Sequence, residues 1–327
     1  MKKLLLTTLT LCSYITTQVS FAGGAQPPVQ PQGAAETHYL RNGILCLFAV
    51  PVLVGTIKAY KEVKTPKIRV GVVSLKGVVM DSEPVVKELT KLFEDKTIHM
   101  ILIKCNCPGG AVGSSQHIFQ EILQLKKLHA KPIITFVENV CASGAYYIAS
   151  ATDAIIAAPS SEIGSIGVVG GYLKYHKLIS QLGIEYEQTT AGICKGENQF
   201  TETTEVQREN NRALVDNMYE QFKRDVASQR SKLSEDTNKW AEARVFTGEQ
   251  ALELGLIDRL GSQSTVVSII RNTFKSTARI DWIEKKETLL EKLIGQTAAV
   301  EESLVKSTVN SVCSTLESRY EQRMLRI

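Results

Sequence analysis

Short apolar runs alternate with amphipathic stretches between residues 68 and 158, and this alternation constrains the fold more than any other feature. The runs are brief and rich in β-branched side chains, as from Ile133 to Val137, which is typical of buried strands. The stretches between them repeat apolar residues at helical spacing. Strands that alternate with helices of this length pair in parallel through right-handed crossovers. The sequence therefore predicts an α/β fold built on a parallel sheet.

The predicted elements extend beyond this region. We expect strands at residues 70–75, 99–104, 132–137, 154–158 and 184–187, and helices at residues 83–93, 114–128, 172–182, 203–231 and 248–254. A charged, helical pattern fills much of residues 263–327, so we expect a helical C-terminal extension there.

Composition narrows the possible functions. The chain has 327 residues, of which 43% are hydrophobic, so a sizeable core is expected. The net charge of +4 is small, and the basic residues are not interleaved with aromatic ones, which gives a nucleic-acid partner no support. Seven cysteines show neither a disulfide framework nor a cluster with histidines, so no metal site is expected.

The N-terminal segment resembles a secretory signal. Lys2 and Lys3 precede an apolar stretch, and Ser20 and Ala22 provide the small residues that a signal peptidase reads. We therefore assign residues 1–22 to a signal-like segment. Residues 23–42 are rich in Gly, Ala, Pro and Gln, as expected of a linker.

A second apolar stretch at residues 43–60 is a possible membrane segment. Its apolar core is short for a membrane span, which needs about 20 residues. The lysines that follow it favour a cytoplasmic position for the next region, whereas the first segment favours export. Both topologies stay open. We favour a membrane-associated protein with the region after this stretch on the periplasmic side of the inner membrane.

Ser143 follows the predicted strand at residues 132–137 and precedes a stretch of small and apolar residues at helical spacing. A serine at such a strand-to-helix turn is often an N-cap. It can also be a nucleophile, because the free N–H groups at a helix N-terminus stabilise negative charge. From the local sequence alone, the N-cap interpretation is favoured.

Three turns rich in glycine or small residues lie at predicted strand ends, where ligands collect in parallel α/β folds. They are residues 108–110, 142–144 and 164–167. None has the spacing of a phosphate-binding loop. Each is a weak signal alone.

As an ordered set, these turns resemble the signal peptide peptidase A family of membrane-associated serine peptidases. The matching motifs are Asn106–Gly110, Ala142–Ala149, Gly164–Val168 and Gly192–Lys195, followed by Gly248–Asp258. The resemblance implies a peptidase catalytic domain over residues 68–262. It also implies a crotonase/Clp protease-like fold of stacked β-β-α units, with parallel sheets flanked by helices.

The family uses a serine nucleophile and a lysine general base. The resemblance places the nucleophile at Ser143, the base at Lys195 and a serine that orients the lysine at Ser165. It implies oxyanion-hole donors at the N–H groups of Gly109 and Gly144. A general-base lysine must be uncharged, and desolvation favours that form, so a dry, unpaired lysine is expected.

Two residues depart from the family pattern. Cys107 stands where serine is usual before Pro-Gly-Gly, and we expect it to be tolerated because the main chain supplies the donor. Ala145 replaces the second glycine of the nucleophile motif, and its added methyl group requires a compatible backbone conformation.

Two other functions remain as alternatives. A crotonase-like acyl-CoA enzyme would share the broad fold and the paired N–H donors but would lack the Ser and Lys motifs. A catalytically inactive membrane scaffold would have lost them, whereas both Ser143 and Lys195 are present. A Clp-type protease is disfavoured because no supporting motif surrounds His176, the first histidine after Ser143.

The resemblance also implies the partners. The expected substrates are extended peptides, such as remnant signal peptides or misfolded membrane-protein fragments. A homo-oligomeric ring is implied, in which different subunits contribute catalytic residues. Neither a metal nor an organic cofactor is implied.

Overall fold

A computed structural model describes residues 67–284. The strands are β1 (Lys67–Val79), β2 (Met100–Gly110), β3 (Ile133–Ala142), β4 (Ala154–Ala157), β5 (Glu162–Gly164), β6 (Val245–Thr247), β7 (Arg259–Leu260) and β8 (Arg279–Glu284). The helices are α1 (Glu83–Glu94), α2 (Val112–Leu128), α3 (Gly144–Ser150), α4 (His176–Gln181), α5 (Glu205–Gln229), α6 (Gly248–Glu253) and α7 (Gln263–Thr273). A 3₁₀ turn occupies Thr237–Lys239.

The eight strands form one sheet in the order β6-β5-β3-β2-β1-β8, and β4 pairs with both β3 and β7. Every pair is parallel except β5 with β6. The prediction of a mostly parallel sheet flanked by helices is therefore confirmed. The three long strands β1, β2 and β3 lie at its centre, and the turns at their carboxyl ends meet at one edge.

The two faces of the sheet carry separate apolar cores. Alternate side chains of a strand point to opposite faces, so Val70 and Val72 join one core while Val73 and Leu75 join the other. Helices α1, α2, α3 and α5 contribute buried residues to the second core, and α7 covers the first. The central strands are buried on both faces, which explains their continuous apolar sequence.

Three predicted elements differ from the structure. Residues 184–187 form no strand, and the helix predicted at 172–182 is limited to His176–Gln181. Within the region expected to be a helical extension, residues 279–284 form β8, which pairs with β1. The sheet therefore extends beyond residue 262.

The N-terminal predictions lie outside the described residues. These predictions are the signal-like segment 1–22, the linker 23–42 and the possible membrane segment 43–60; most of the predicted C-terminal extension, from residue 285, is also outside. Among residues 67–284, none of the helices has the length and apolar character needed to cross a membrane.

Candidate active site

Ser143 occupies the single residue between β3 and α3. Its φ of 51° and ψ of −126° are unusual for a residue with a side chain. Its N–H donates to the carbonyl of Gly164 at 2.8 Å, and its carbonyl accepts from the N–H of Tyr147 at 3.0 Å. The hydroxyl makes no capping hydrogen bond. Ser143 is therefore not a conventional N-cap, and the interpretation favoured by the local sequence is wrong.

Gly109 and Gly144 pack closely around Ser143. A Cβ on Gly109 would lie 2.8 Å from the Cβ of Ser143 and 2.9 Å from the nitrogen of Gly144. The φ of Gly109 is +117°, which residues with side chains rarely adopt. A Cβ on Gly144 would lie 2.2 Å from the hydroxyl oxygen of Ser115. The structure thus brings the predicted nucleophile and both predicted oxyanion donors together.

The N–H of Gly109 has a partner that the sequence did not indicate. It donates to the sulfur of Cys107 at 3.4 Å, and the same thiol contacts the carbonyl of Gly109 at 3.6 Å. Burial raises the pKa of the Cys107 thiol to about 11, so the sulfur is protonated at neutral pH. The residue that departs from the family pattern therefore touches the predicted oxyanion donor itself.

The backbone of Ser165 lies close to that of the predicted nucleophile, Ser143. It directly follows Gly164, whose carbonyl binds the N–H of Ser143, and its own N–H donates to the carbonyl of Arg244 at 2.7 Å. Its φ is 50°, so this turn also holds an uncommon conformation. Among the described residues, its hydroxyl forms no hydrogen bond, and its predicted contact with Lys195 is not made within one chain.

Lys195 lies in an exposed turn, and its side chain contacts neither Ser143 nor Ser165 through a hydrogen bond within residues 67–284. The turn closes through a 2.9 Å hydrogen bond from the N–H of Lys195 to the carbonyl of Gly192. The expectation of a dry lysine is therefore not met by a single chain. The lysine belongs to the segment 169–195, called the arm here, whose residues are all exposed or half-buried.

Two polar contacts that sequence analysis missed hold the helix after Ser143. Tyr147 donates its hydroxyl to Asp225 on α5, and its ring stacks on Phe222 at 4.3 Å. Tyr146 donates its hydroxyl to the carbonyl of Leu256 at 2.7 Å. Burial raises the pKa of both tyrosines, so both hydroxyls stay protonated as donors. Sequence spacing could not indicate the partner Asp225, because it lies 78 residues after Tyr147 in the chain.

Within the described part of the chain, no group of three His, Cys, Asp or Glu side chains could hold a metal ion. The chemistry available at the turn is that of a hydroxyl, two neighbouring glycine amides and a thiol. This set suits acyl transfer, in which a serine attacks a carbonyl and main-chain donors receive the oxyanion.

Comparison with known proteins bears on the chemistry of this site. The family model described as peptidase family S49 matches residues 126–276, which include Ser143, Ser165 and Lys195. A protein of Enterococcus faecium named as signal peptide peptidase SppA is 30% identical over 235 residues, covering 70% of this chain and 67% of that protein. The chain belongs to peptidase family S49.

Two further relatives support the S49 assignment. A Synechocystis protein named as a protease is 30% identical over 223 residues, covering 67% of this chain and 80% of its own. The chloroplastic serine protease SPPA of Arabidopsis thaliana is 30% identical over 225 residues, which cover 68% of this chain and 32% of that protein. The chain is thus an SppA-like serine protease with the fold expected of S49 peptidases, and the acyl-CoA alternative has no support.

Proposed function

We propose that this S49 peptidase is a membrane-associated endopeptidase that cleaves peptides with a Ser143–Lys195 dyad. The observation that carries the proposal is the conformation of Ser143. Its backbone is held in an unfavourable region, its hydroxyl makes no capping bond, and two glycine amides lie beside it. Uncommon backbone conformations of this kind cluster at functional sites.

In the proposed reaction, the amine of Lys195 takes the proton of the Ser143 hydroxyl as the oxygen attacks the peptide carbonyl. The N–H groups of Gly109 and Gly144 then receive the oxyanion, and each such donor is worth roughly 2.7–4 kcal/mol of barrier. The N–H of Gly109 must leave the sulfur of Cys107 for this role. A thiol is a weak acceptor, whereas a hydrogen bond to an oxyanion is charge-assisted, so the exchange is favourable.

In the proposal, Lys195 of one chain reaches the nucleophilic serine of a neighbouring chain in a homo-oligomeric ring. Large apolar side chains are exposed along the arm, and an extended apolar surface favours association. These side chains are Val169, Tyr172, Leu173, Leu178, Leu182, Ile184, Tyr186 and Ile193. Packing of the arm on a second copy would bury them and would also remove Lys195 from water, as a general base requires.

The proposed substrates are extended peptides with small or apolar side chains near the cut, such as remnant signal peptides or fragments of misfolded membrane proteins. The end of β1 supports this choice. Val78 pairs with Gly109 in the sheet, and both Val78 and Met80 expose apolar side chains there. An apolar substrate residue would find a matching surface beside the oxyanion donors.

The proposed location is the inner membrane, with the catalytic domain on the periplasmic side. The proposal rests on the basic and apolar start of the chain and on the apolar stretch at residues 43–60. A reporter enzyme that is active only after export, fused after residue 67, tests it. Activity of the reporter supports the periplasmic side, and its absence in a stably expressed fusion contradicts it.

The dyad is tested with a fluorophosphonate probe and a fluorogenic peptide in the full-length protein. We expect Ser143→Ala and Lys195→Ala each to lower peptide hydrolysis by about 10⁴-fold or more while the fold is retained. Ser160→Ala and Lys127→Ala are matched controls, because both side chains are exposed and neither belongs to the proposed site or to the arm. Full activity of Lys195→Ala at neutral pH would contradict the dyad.

A further inference from the structure

The turn that carries Lys195 has a fixed backbone although its lysine side chain is exposed. Gly192 and Gly196 flank the turn with φ values of +95° and +87°. A Cβ on Gly196 would lie 2.6 Å from a methyl group of Thr190 and 2.9 Å from the side-chain amide of Gln188, so a side chain there would displace both. The carbonyl of Gly196 accepts hydrogen bonds from Gln188 at 2.7 Å and Asn198 at 3.0 Å. The position of the lysine backbone is therefore set by its neighbours.

Glu197, two residues after the lysine, is the most fully bonded carboxylate of this region. One oxygen accepts from the hydroxyl of Thr203 at 2.9 Å and lies 3.9 Å from the ammonium of Lys174. The other accepts from the side-chain amide of Asn211 at 2.8 Å. The hydroxyl of Tyr172 also donates to this carboxylate and is the main cause of its lowered pKa. The side chain of Glu197 is only 15% exposed.

The contact with Asn211 joins the lysine turn to the long helix α5. Asn211 lies in the second turn of that helix, and Phe222 and Asp225 lie on it about 16 to 21 Å further along. Those two residues hold Tyr147, four residues after Ser143. One continuous helix therefore connects the lysine turn at one end with the nucleophile's helix α3 at the other.

The bonding of Glu197 also affects the charge near Lys195. A free carboxylate two residues from a lysine would pair with its ammonium and favour the protonated form, which cannot act as a base. Both oxygens of Glu197 are occupied by Tyr172, Lys174, Thr203 and Asn211, and no ion pair with Lys195 forms within the described residues. The bonds that hold the turn therefore also occupy the carboxylate that is nearest to the lysine in sequence.

We propose that Glu197 is a positioning residue for the general base, whose carboxylate fastens the Lys195 turn to α5 through Asn211. The inference rests on the proposed role of Lys195 as the base. Glu197 touches neither substrate nor the reacting atoms; it acts through the lysine, whose placement against a serine determines the rate of proton transfer.

The test uses Glu197→Gln, which keeps the shape but removes the charge, and Asn211→Ala, which removes the helix contact at an exposed position. We expect both variants of the full-length protein to lower kcat by about 10- to 100-fold, with KM for a short peptide nearly unchanged. Glu209→Gln is the matched control, because Glu209 is an exposed carboxylate on α5 outside this network. Wild-type kcat in both Glu197→Gln and Asn211→Ala would overturn the inference.

A double-mutant cycle separates positioning from a general loss of structure. The measured quantity is the rate at which a fluorophosphonate labels Ser143 at alkaline pH, where hydroxide supports residual reactivity without the lysine. A residue that acts only through the base should cause no further loss in the Lys195→Ala background. An additive loss in that background would overturn the inference. If Lys195→Ala is inactive while Glu197→Gln keeps wild-type activity, only this inference is overturned. If Lys195→Ala is fully active, the proposed dyad is overturned and this inference with it.

Discussion

Ser143 owes its position to a backbone conformation that costs free energy and is maintained by the residues around it. Ser143 and Ser165 both have φ near +50°, and a hydrogen bond from Ser143 to the carbonyl of Gly164 joins the two turns. A non-glycine residue in such a conformation costs of order 1–3 kcal/mol. The adjacent sheet and helix must therefore offset that cost, as is common where a side chain has a chemical role.

At the residue scale, Gly109→Ala should lower both the activity and the stability of the protein. The new Cβ would meet Ser143 and the amide of Gly144, and its φ of +117° disfavours any side chain. We expect kcat to fall by at least about 100-fold, as for the loss of one oxyanion donor. Gly113→Ala, at a helical position with open space, is the control and should keep full activity. Wild-type kcat in Gly109→Ala would contradict the assignment of the donor.

The four cysteines in residues 67–284 should differ sharply in reactivity. Cys194 is exposed, whereas Cys105, Cys107 and Cys141 are buried. Burial raises the pKa of Cys107 to about 11, and a hydrogen bond with Cys105 together with burial raises that of Cys141. Because the thiolate is the reactive form, alkylation at pH 8 followed by peptide mapping should modify Cys194 wherever the arm is not covered by a second copy. The other three should be spared until the protein is unfolded. Rapid native alkylation of Cys107 would contradict this description of the site.

At the scale of elements, the predictions succeeded where the pattern is local. Helices α1, α2 and α5 lie within two residues of their predicted bounds, because their apolar faces are evident from spacing alone. Residues 184–187 have a strand-like composition but gain no partner strand in the described chain. Conversely, β8 was missed because its pairing with β1 joins residues more than 200 apart in sequence.

The active site, too, was predictable from the sequence only where the signal is a local motif. The ordered motifs placed Ser143, Gly109 and Gly144, and the structure brings these three together. They could not indicate the φ of Ser143 or the hydrogen bond from Gly109 to the sulfur of Cys107, because both depend on the local backbone conformation, which a motif does not specify.

The contact between α3 and α5 is an element-scale feature that can be tested by stability. Tyr147→Phe keeps the ring on Phe222 but leaves Asp225 without its hydroxyl donor. We expect the free energy of unfolding to fall by about 1–3 kcal/mol, measured by urea denaturation. Tyr175→Phe is the control, since the Tyr175 ring contacts Phe200 and its hydroxyl forms no hydrogen bond with described residues. Equal stability of the two variants would show that the Asp225 contact contributes nothing.

At the scale of the whole molecule, the sheet and its helices are well packed, whereas the arm is largely exposed. The sheet and its helices bury two apolar cores, whereas Val169 is 94% and Ile193 76% exposed. The predicted nucleophile lies in the packed part and the predicted base in the arm. The proposed oligomer therefore determines whether the two can meet.

Mixing inactive variants tests this division. If the base acts on a neighbouring subunit, chains with Ser143→Ala and chains with Lys195→Ala should complement each other when they are unfolded together and reassembled. About a quarter of the sites should then pair an intact serine with an intact lysine in a randomly mixed closed ring. Mixing Ser143→Ala with the double variant Ser143→Ala/Lys195→Ala is the control and should give no activity. Absence of activity in the first mixture would place both residues of a working site in one chain.

Four residues with side chains adopt positive φ around the active-site turns: Ser143, Ser165, Glu242 and Ala243. The loop that contains the last two supports Ser165, because the N–H of Ser165 donates to Arg244 and the N–H of Ala243 donates to Ile166. Selection for heat resistance should therefore favour glycine at Ala243, where relief of the backbone conformation is worth roughly 1 kcal/mol. Glycine at position 143 would relieve the backbone in the same way but would delete the hydroxyl. At that position, selection for thermal stability and selection for turnover therefore favour different residues.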